Sequence, residues 1–426
     1  MFSMLARICA NRLILPRNSG LALVTLMLPL QAVLAQHDHA PLRVSDTLTF
    51  NDIYASAVVK APEALETPVR ETQAVSFRQS GGSLIAGQPS LQMNYYDDGL
   101  LDDVGLQEFE YGVQVPLWRP GQKRDARQLG KSYEEQVERW KSALAWIVAG
   151  RVRQVLGEIA VAEAGLLLQE HAVADAERLR EVTATLFNAG EVARLELMQS
   201  ESLLVQKQAD LLQAQAAMVD AERSYVVITG LQERPAVTLT ETRVNEEDIQ
   251  ETHPWLQYLR SSVDLADSLV RQSEHNAKGN PTLTLGSRQE RPDRFQQSIS
   301  SVSLQLSIPF GGKNFVSSRS SSARRDKVDA EVAWQNAWIE LNRQLHEVEH
   351  DLYILDQEEP LRRTQAELSR ERFDMALTAF SLGEVTLAQV VIAQQEAQES
   401  DRALQMLLAE RQRQVTQYNQ LIGVMP

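Results

Sequence analysis

The feature that most constrains this chain is a repeat: two copies of one plan lie in register at a separation of 193 residues. Pro116, Phe187, Gly190, Glu191, Val192, Tyr225 and Gly230 return as Pro309, Phe380, Gly383, Glu384, Val385, Tyr418 and Gly423. Seven matches at one offset, all at turn, breaker or aromatic positions, are hard to obtain by chance. A repeat of this length is read first, because it says that one structural unit was built twice.

Each copy follows one order. In the first, residues 88–97 and 107–117 read as strands around an acidic, turn-rich loop containing Asp98-Gly99 and Asp102-Asp103. The second strand alternates, with Phe109, Tyr111, Val113 and Val115 on one face and Glu108, Glu110, Gly112 and Gln114 on the other. In the second copy the strands are 281–289 and 298–309, where Val302, Leu304, Leu306 and Ile308 alternate with serines and Gln305. Strands of about ten residues with strict apolar/polar dyads fit an outer-membrane barrel, lipid outside and water inside. A half-buried strand of a soluble sandwich alternates just as well.

A very long helical run follows each strand pair. Residues 122–187 contain no proline and are rich in Ala, Leu, Glu, Gln and Arg; as one helix they would be roughly 100 Å long, beyond a compact domain. A break at Asn188-Ala189-Gly190 leads to a returning helix, so 122–228 forms a helical hairpin. On the return, Leu195, Met198, Ser202, Val205, Ala209, Leu212, Ala216 and Val219 step by three and four, a heptad seam that asks for a neighbour. The second hairpin spans 313–421, and Pro360 predicts a kink or local break in its long helix. The remaining expectations are a helix near 48–75, a linker over 231–245 and a helix over 246–277.

The ends add context. Arg7, Arg12 and Arg17, the apolar stretch 21–30 and Val33-Leu34-Ala35 before Gln36 read as a secretory signal over 1–35. Gln36 in place of cysteine argues against an amino-terminal lipid anchor. The only cysteine, Cys9, leaves with that segment, so the mature chain forms no disulfide. Loss of the three arginines takes the formal charge from −15 to −18. An acidic chain is a poor nucleic-acid binder, since phosphate affinity comes from Lys and Arg clusters. No later stretch is apolar enough for a transmembrane helix. Two hairpins supply four strands, and the smallest known membrane barrel has eight; strands that cross a membrane would have to be pooled between chains.

Taken together, these residues resemble the TolC-like outer-membrane efflux channels. The resemblance covers almost the whole mature chain. It rests on the duplicated strand-strand-helix-helix order, on Val113-Gln114-Val115-Pro116-Leu117 and Leu306-Ser307-Ile308-Pro309-Phe310, on Phe187-x-x-Gly190 and Phe380-x-x-Gly383, and on the helix ends 225–230 and 418–423. It implies an α+β membrane protein that forms a homotrimer, with a shared twelve-stranded barrel in the outer membrane and a helical tunnel in the periplasm. Partners would be a periplasmic adaptor meeting the tips at Gly190, Glu191, Val192, Gly383, Glu384 and Val385, and an inner-membrane pump. The run 190–197 and the His253-Pro254 pair look most like the heavy-metal cation efflux branch. Acidic gate residues found in some relatives are replaced here by Gln389 and Ile392.

Several motifs carry a second meaning. His346-Glu347-Val348-Glu349-His350 fits the H-E-x-x-H helix of zinc proteases, but sits within a long amphipathic helix where polar face residues are the plainer account. His37 and His39 are weak candidates for holding a transition metal. Basic residues follow each second strand: Arg119, Lys123, Arg124, Arg127 and Lys131, then Lys313, Arg319, Arg324, Arg325 and Lys327. Of these, Arg124, Arg127, Arg324 and Arg325 are expected at the periplasmic membrane face against lipid phosphates. No phosphate-binding loop, dinucleotide motif or nucleophile elbow is present. The expectation is a passive conduit with no cofactor and no catalytic residues; the rival readings are a periplasmic adaptor and a zinc protease.

Overall fold

The computed structural model describes residues 41–100, 104–236 and 240–425. The expected signal segment, His37, His39 and the Asp102-Asp103 turn lie outside the described residues.

The chain begins with β1 (Arg43–Ser45), α1 (Phe50–Lys60), a 3-10 turn (Pro62–Leu65) and α2 (Glu66–Gly82). The helix expected near 48–75 is therefore divided. Ala61 adopts extended backbone at the division and Pro62 follows it, since the residue before a proline disfavours the helical region. Next come β2 (Ser90–Asp97), β3 (Gln107–Pro116), α3 (Gln122–Ala189) and α4 (Arg194–Thr229). The linker includes β4 (Glu233–Pro235), which pairs in parallel with β1. The second copy holds α5 (Pro254–Lys278), β5 (Thr282–Arg291), β6 (Ile299–Ser307), α6 (Lys313–Ser381) and α7 (Leu387–Ile422). α5 starts at Pro254 rather than near 246, because proline fits the first helical turn and its neighbour His253 holds the non-helical cap. α6 runs through Pro360 as one element. Pro360 is exposed, so water can reach the carbonyl that its missing N–H leaves unpaired.

The elements stack in three tiers, each four elements wide. The strands form one antiparallel sheet in the order β2-β3-β5-β6. Below it, α2 packs on α3, α3 on α5 and α5 on α6; lower still, α4 packs on α3, α3 on α7 and α7 on α6. In every tier an element of one copy sits beside an element of the other at the centre, and two edges stay open. No described helix is long and apolar enough to cross a membrane.

Candidate functional site

Register in the sheet sorts side chains by face. Leu91, Val113, Leu285 and Leu304 stand side by side across the four strands, as do Val115, Leu283 and Leu306 across three. On the opposite face lie the rungs Ser90-Gln114-Thr284-Gln305 and Asn94-Glu110-Arg288-Ser301. One face is thus apolar yet exposed, with Leu91 68% and Leu304 71% accessible. Its reverse is polar and carries three carboxylates around one guanidinium. Arg288 lies 2.7 Å from Glu108, 3.1 Å from Glu290 and 3.7 Å from Glu110. A sheet with this division suits lipid on one side and water on the other.

The strand-to-helix junctions are tied together by Arg119. Its guanidinium donates to the carbonyls of Gly279, Lys278 (2.8 Å) and Pro309 (2.6 Å), binding the first copy to both ends of the second strand pair. Arg119 is therefore a clamp, a role that nothing in the sequence marks beyond a basic residue near a strand end. Other cations of the two basic clusters are engaged as well: Arg324 with Glu274 at 2.7 Å and Lys327 with Asp267 at 2.6 Å. Arg325 makes only a 3.9 Å pair with Asp329, Arg124 a 3.4 Å contact with Asp125, and Arg127 is exposed.

At the far end the two turns match closely. Gly190 (φ 79°) and Gly383 (φ 76°) take left-handed backbone, which favours glycine. Glu191 donates its N–H to Leu186 (2.9 Å) and Glu384 its N–H to Ala379 (2.9 Å), satisfying helix-end carbonyls. Val192 and Val385 pack on a core of Leu179, Leu186, Phe373, Phe380, Leu387 and Val390. Gly190, Glu191, Gly383 and Glu384 face solvent. The tip residues expected from sequence thus divide into inward valines and outward glycines and glutamates.

Between junction and tip, Asp175 joins the two hairpins. Its carboxylate is 5% exposed and accepts two bonds from Arg370, at 2.5 and 3.0 Å. Arg178 reaches Asp175 at 3.2 Å and Asp374 at 3.1 Å. Nearby, burial raises the Asp401 carboxyl, opposed by Arg370. A cavity of about 1670 Å³ opens beside this group along α3, lined by Gly157, Gly165, Ala172, Ala217, Gln398 and Met406 among others. Sequence reading missed the Asp175–Arg370 pair; two charged residues on long helices carry no mark that they meet.

The protease-like motif does not gather a metal site within the chain. His346 and His350 are exposed on α6, and Glu347 is held by Arg343. Among the described residues no group of three metal-binding side chains converges.

The amino-acid sequence matches no protein-family model, and no curated protein matches it. Solved structures do. The outer membrane protein VceC of Vibrio cholerae superposes with a TM-score of 0.69 at 14% identity, over 88% of this chain and 96% of that one. The CmeC outer membrane channel of Campylobacter jejuni gives 0.69 at 14%, over 88% and 85%. The open-state MtrE outer membrane channel of Neisseria gonorrhoeae gives 0.62 at 12%, over 90% of each chain. At such identities the likeness is one of fold, and it agrees with the duplicated order of strand pair and helical hairpin that the sequence resemblance implied. The chain has the fold of outer-membrane channel proteins.

Proposed function

We propose that this chain is the outer-membrane channel of a tripartite efflux system, a passive conduit that carries substrate from a pump and adaptor across the outer membrane. The observation that carries the reading is the open edge. A four-stranded sheet with an exposed apolar face cannot stand alone in lipid, because its edge N–H and C=O groups would lack partners. Three copies joined β2 to β6 give twelve strands and a closed barrel, with Arg288 and the three carboxylates around it inside. The same ring closes the helical tiers into a tunnel that extends into the periplasm.

In this reading the outward glycines and glutamates at 190–191 and 383–384 receive the adaptor. Arg124 and Arg127 lie at the periplasmic membrane face, where anionic phosphates would meet them. Export of metal cations is the substrate reading. It is supported by an acidic chain of formal charge −15 and by carboxylates on the polar sheet face.

The test is the molar mass of the protein extracted in detergent from separated outer membranes, by light scattering corrected for bound detergent. A mass near three chains is expected. A single-chain mass in the soluble periplasmic fraction would overturn the channel.

A further inference from the structure

Each edge helix of the lowest tier has two faces that want cover, and the chain covers one. On α6, Leu341, Leu345, Val348 and Phe373 are buried against the chain's own helices. On the opposite side Ile339, Tyr353, Leu361, Leu368 and Met375 are 61–70% exposed. A helix advances roughly 100° per residue, which places these five within about 80° of one another. α4 is built the same way: Met218 and Tyr225 are buried, whereas Met198, Val205 and Leu212 are 54–66% exposed along one stripe.

We propose that these stripes are two halves of one seam, in which α4 of one copy packs on α6 of the next with residues paired rung by rung. The inference rests on the trimeric reading above and adds its register. The Asp175–Arg370 pair sets the relative height of the two hairpins. Asp175 stands 15 positions before Gly190 and Arg370 13 positions before Gly383, so the tips lie at nearly one level. Counted from those glycines, Met198 and Met375 are each 8 positions away, Val205 and Leu368 each 15, and Leu212 and Leu361 each 22. Three apolar rungs thus meet at equal heights on helices of opposite direction, as an antiparallel heptad contact requires.

The same count gives the histidines a place. His350 and Arg223 are each 33 positions from their tips, His346 and Val227 each 37, and Asp220 lies one turn below Arg223. Both histidines fall in the centre of the α6 stripe. Placed against the next copy, their imidazoles meet Asp220 and Arg223 as a polar layer in an apolar seam. A layer of this kind penalises slipped pairings, since slippage would bury its polar groups without partners. The H-E-x-x-H match is on this account an interface element.

Disulfide trapping reads the register directly, because Cys9 is the only cysteine. In a Cys9→Ser background, Leu212→Cys with Leu361→Cys, and separately Val205→Cys with Leu368→Cys, are oxidised mildly in outer membranes. Covalent dimers and trimers are expected on non-reducing gels. Leu212→Cys with Met375→Cys, offset by roughly 20 Å along the helices, should stay uncoupled. Cross-linking of the offset pair in place of the matched pairs, or of none, overturns the rung assignment. Light scattering on the same samples separates the failures: a three-chain mass without matched cross-links leaves the channel standing, and a one-chain mass removes both. The polar layer has its own arm. His346→Leu with His350→Leu should raise cross-linking of the one-heptad mismatch Leu212→Cys with Leu368→Cys, and an unchanged pattern would remove its registering role.

Discussion

The two long helices occupy equivalent places in the repeat, yet they are buried to very different extents. α3 buries 23 of its 68 residues, and α6 buries eight of 69. Repeat position does not explain this, because both descend from a strand pair and end at a glycine turn. Place in the array does. α3 lies inside both helical tiers, between α2 and α5 above and between α4 and α7 below, whereas α6 is an edge of both. Duplication supplied two similar units, and their side-by-side packing made one interior and one peripheral. The periphery keeps apolar stripes that a lone chain has no use for.

The largest expected effect is at the joint between the repeats. Arg370→Ala would leave the buried Asp175 carboxylate with only Arg178 near it; because Arg370 is itself 37% exposed, the loss should fall at the low end of the buried-pair range, about 3 kcal/mol. Thermal unfolding followed by circular dichroism should fall accordingly; an unchanged midpoint would show that water reaches Asp175 freely. A leucine pair tests the interior–edge contrast itself. Leu179 on α3 is fully buried, so Leu179→Ala should cost about 2–5 kcal/mol. Leu361 on α6 is 70% exposed within one chain, so Leu361→Ala should leave a detergent-dissociated monomer within about 0.5 kcal/mol and, on the proposed seam, weaken association between copies. Equal losses in the monomer would erase the contrast.

The contrast also marks what the sequence could carry. Repeat offset, strand alternation and the tip glycines were legible because each is local or periodic. The seam on α4 was legible as a stripe but not as an unfilled one: Leu195 and Val205 read the same whether their neighbour is the same chain or another. Which charges meet was not legible at all. Arg119 sits in a basic cluster that suggested lipid, and only the fold brings the carbonyls of Gly279 and Pro309 to it. Pro360 does not break α6, which runs through it as one element, since a propensity rule for helix interiors loses force where the freed carbonyl faces water.

A smaller effect lies in the interior, where the second copy's His253 packs edge-on against Trp146, with ring centres 5.0 Å apart. Burial pushes its imidazole down from 6.5 to about 4. A depressed folded pKa favours the neutral ring. The contribution to stability is therefore whole above pH 6.5 and is lost progressively as pH falls toward 4, by at most about 3 kcal/mol. Thermal midpoints measured across that window should drop for the native chain and drop less for His253→Asn. Parallel curves would mean that carboxylates elsewhere set the acid limit.

The smallest prediction compares the repeats at one equivalent residue, the cap of each returning helix. Thr386 opens α7 with its backbone N–H and its hydroxyl both donating to the Gln389 side-chain oxygen, at 2.9 and 3.2 Å. Its counterpart 193 positions earlier is Ala193, which opens α4 with no side-chain cap. Both residues hold extended backbone, ψ 155° in each, so the geometry for a cap exists in both copies and the hydroxyl in only one. Thr386→Ala should then cost about 1 kcal/mol and Ala193→Thr should gain a similar amount. The two substitutions invert the asymmetry between the tips without touching either glycine turn. Hydrogen exchange at the first turns of α4 and α7 would read it, with protection moving from the second tip to the first. If Ala193→Thr brings no protection, the first tip is held by contacts that a cap does not add to.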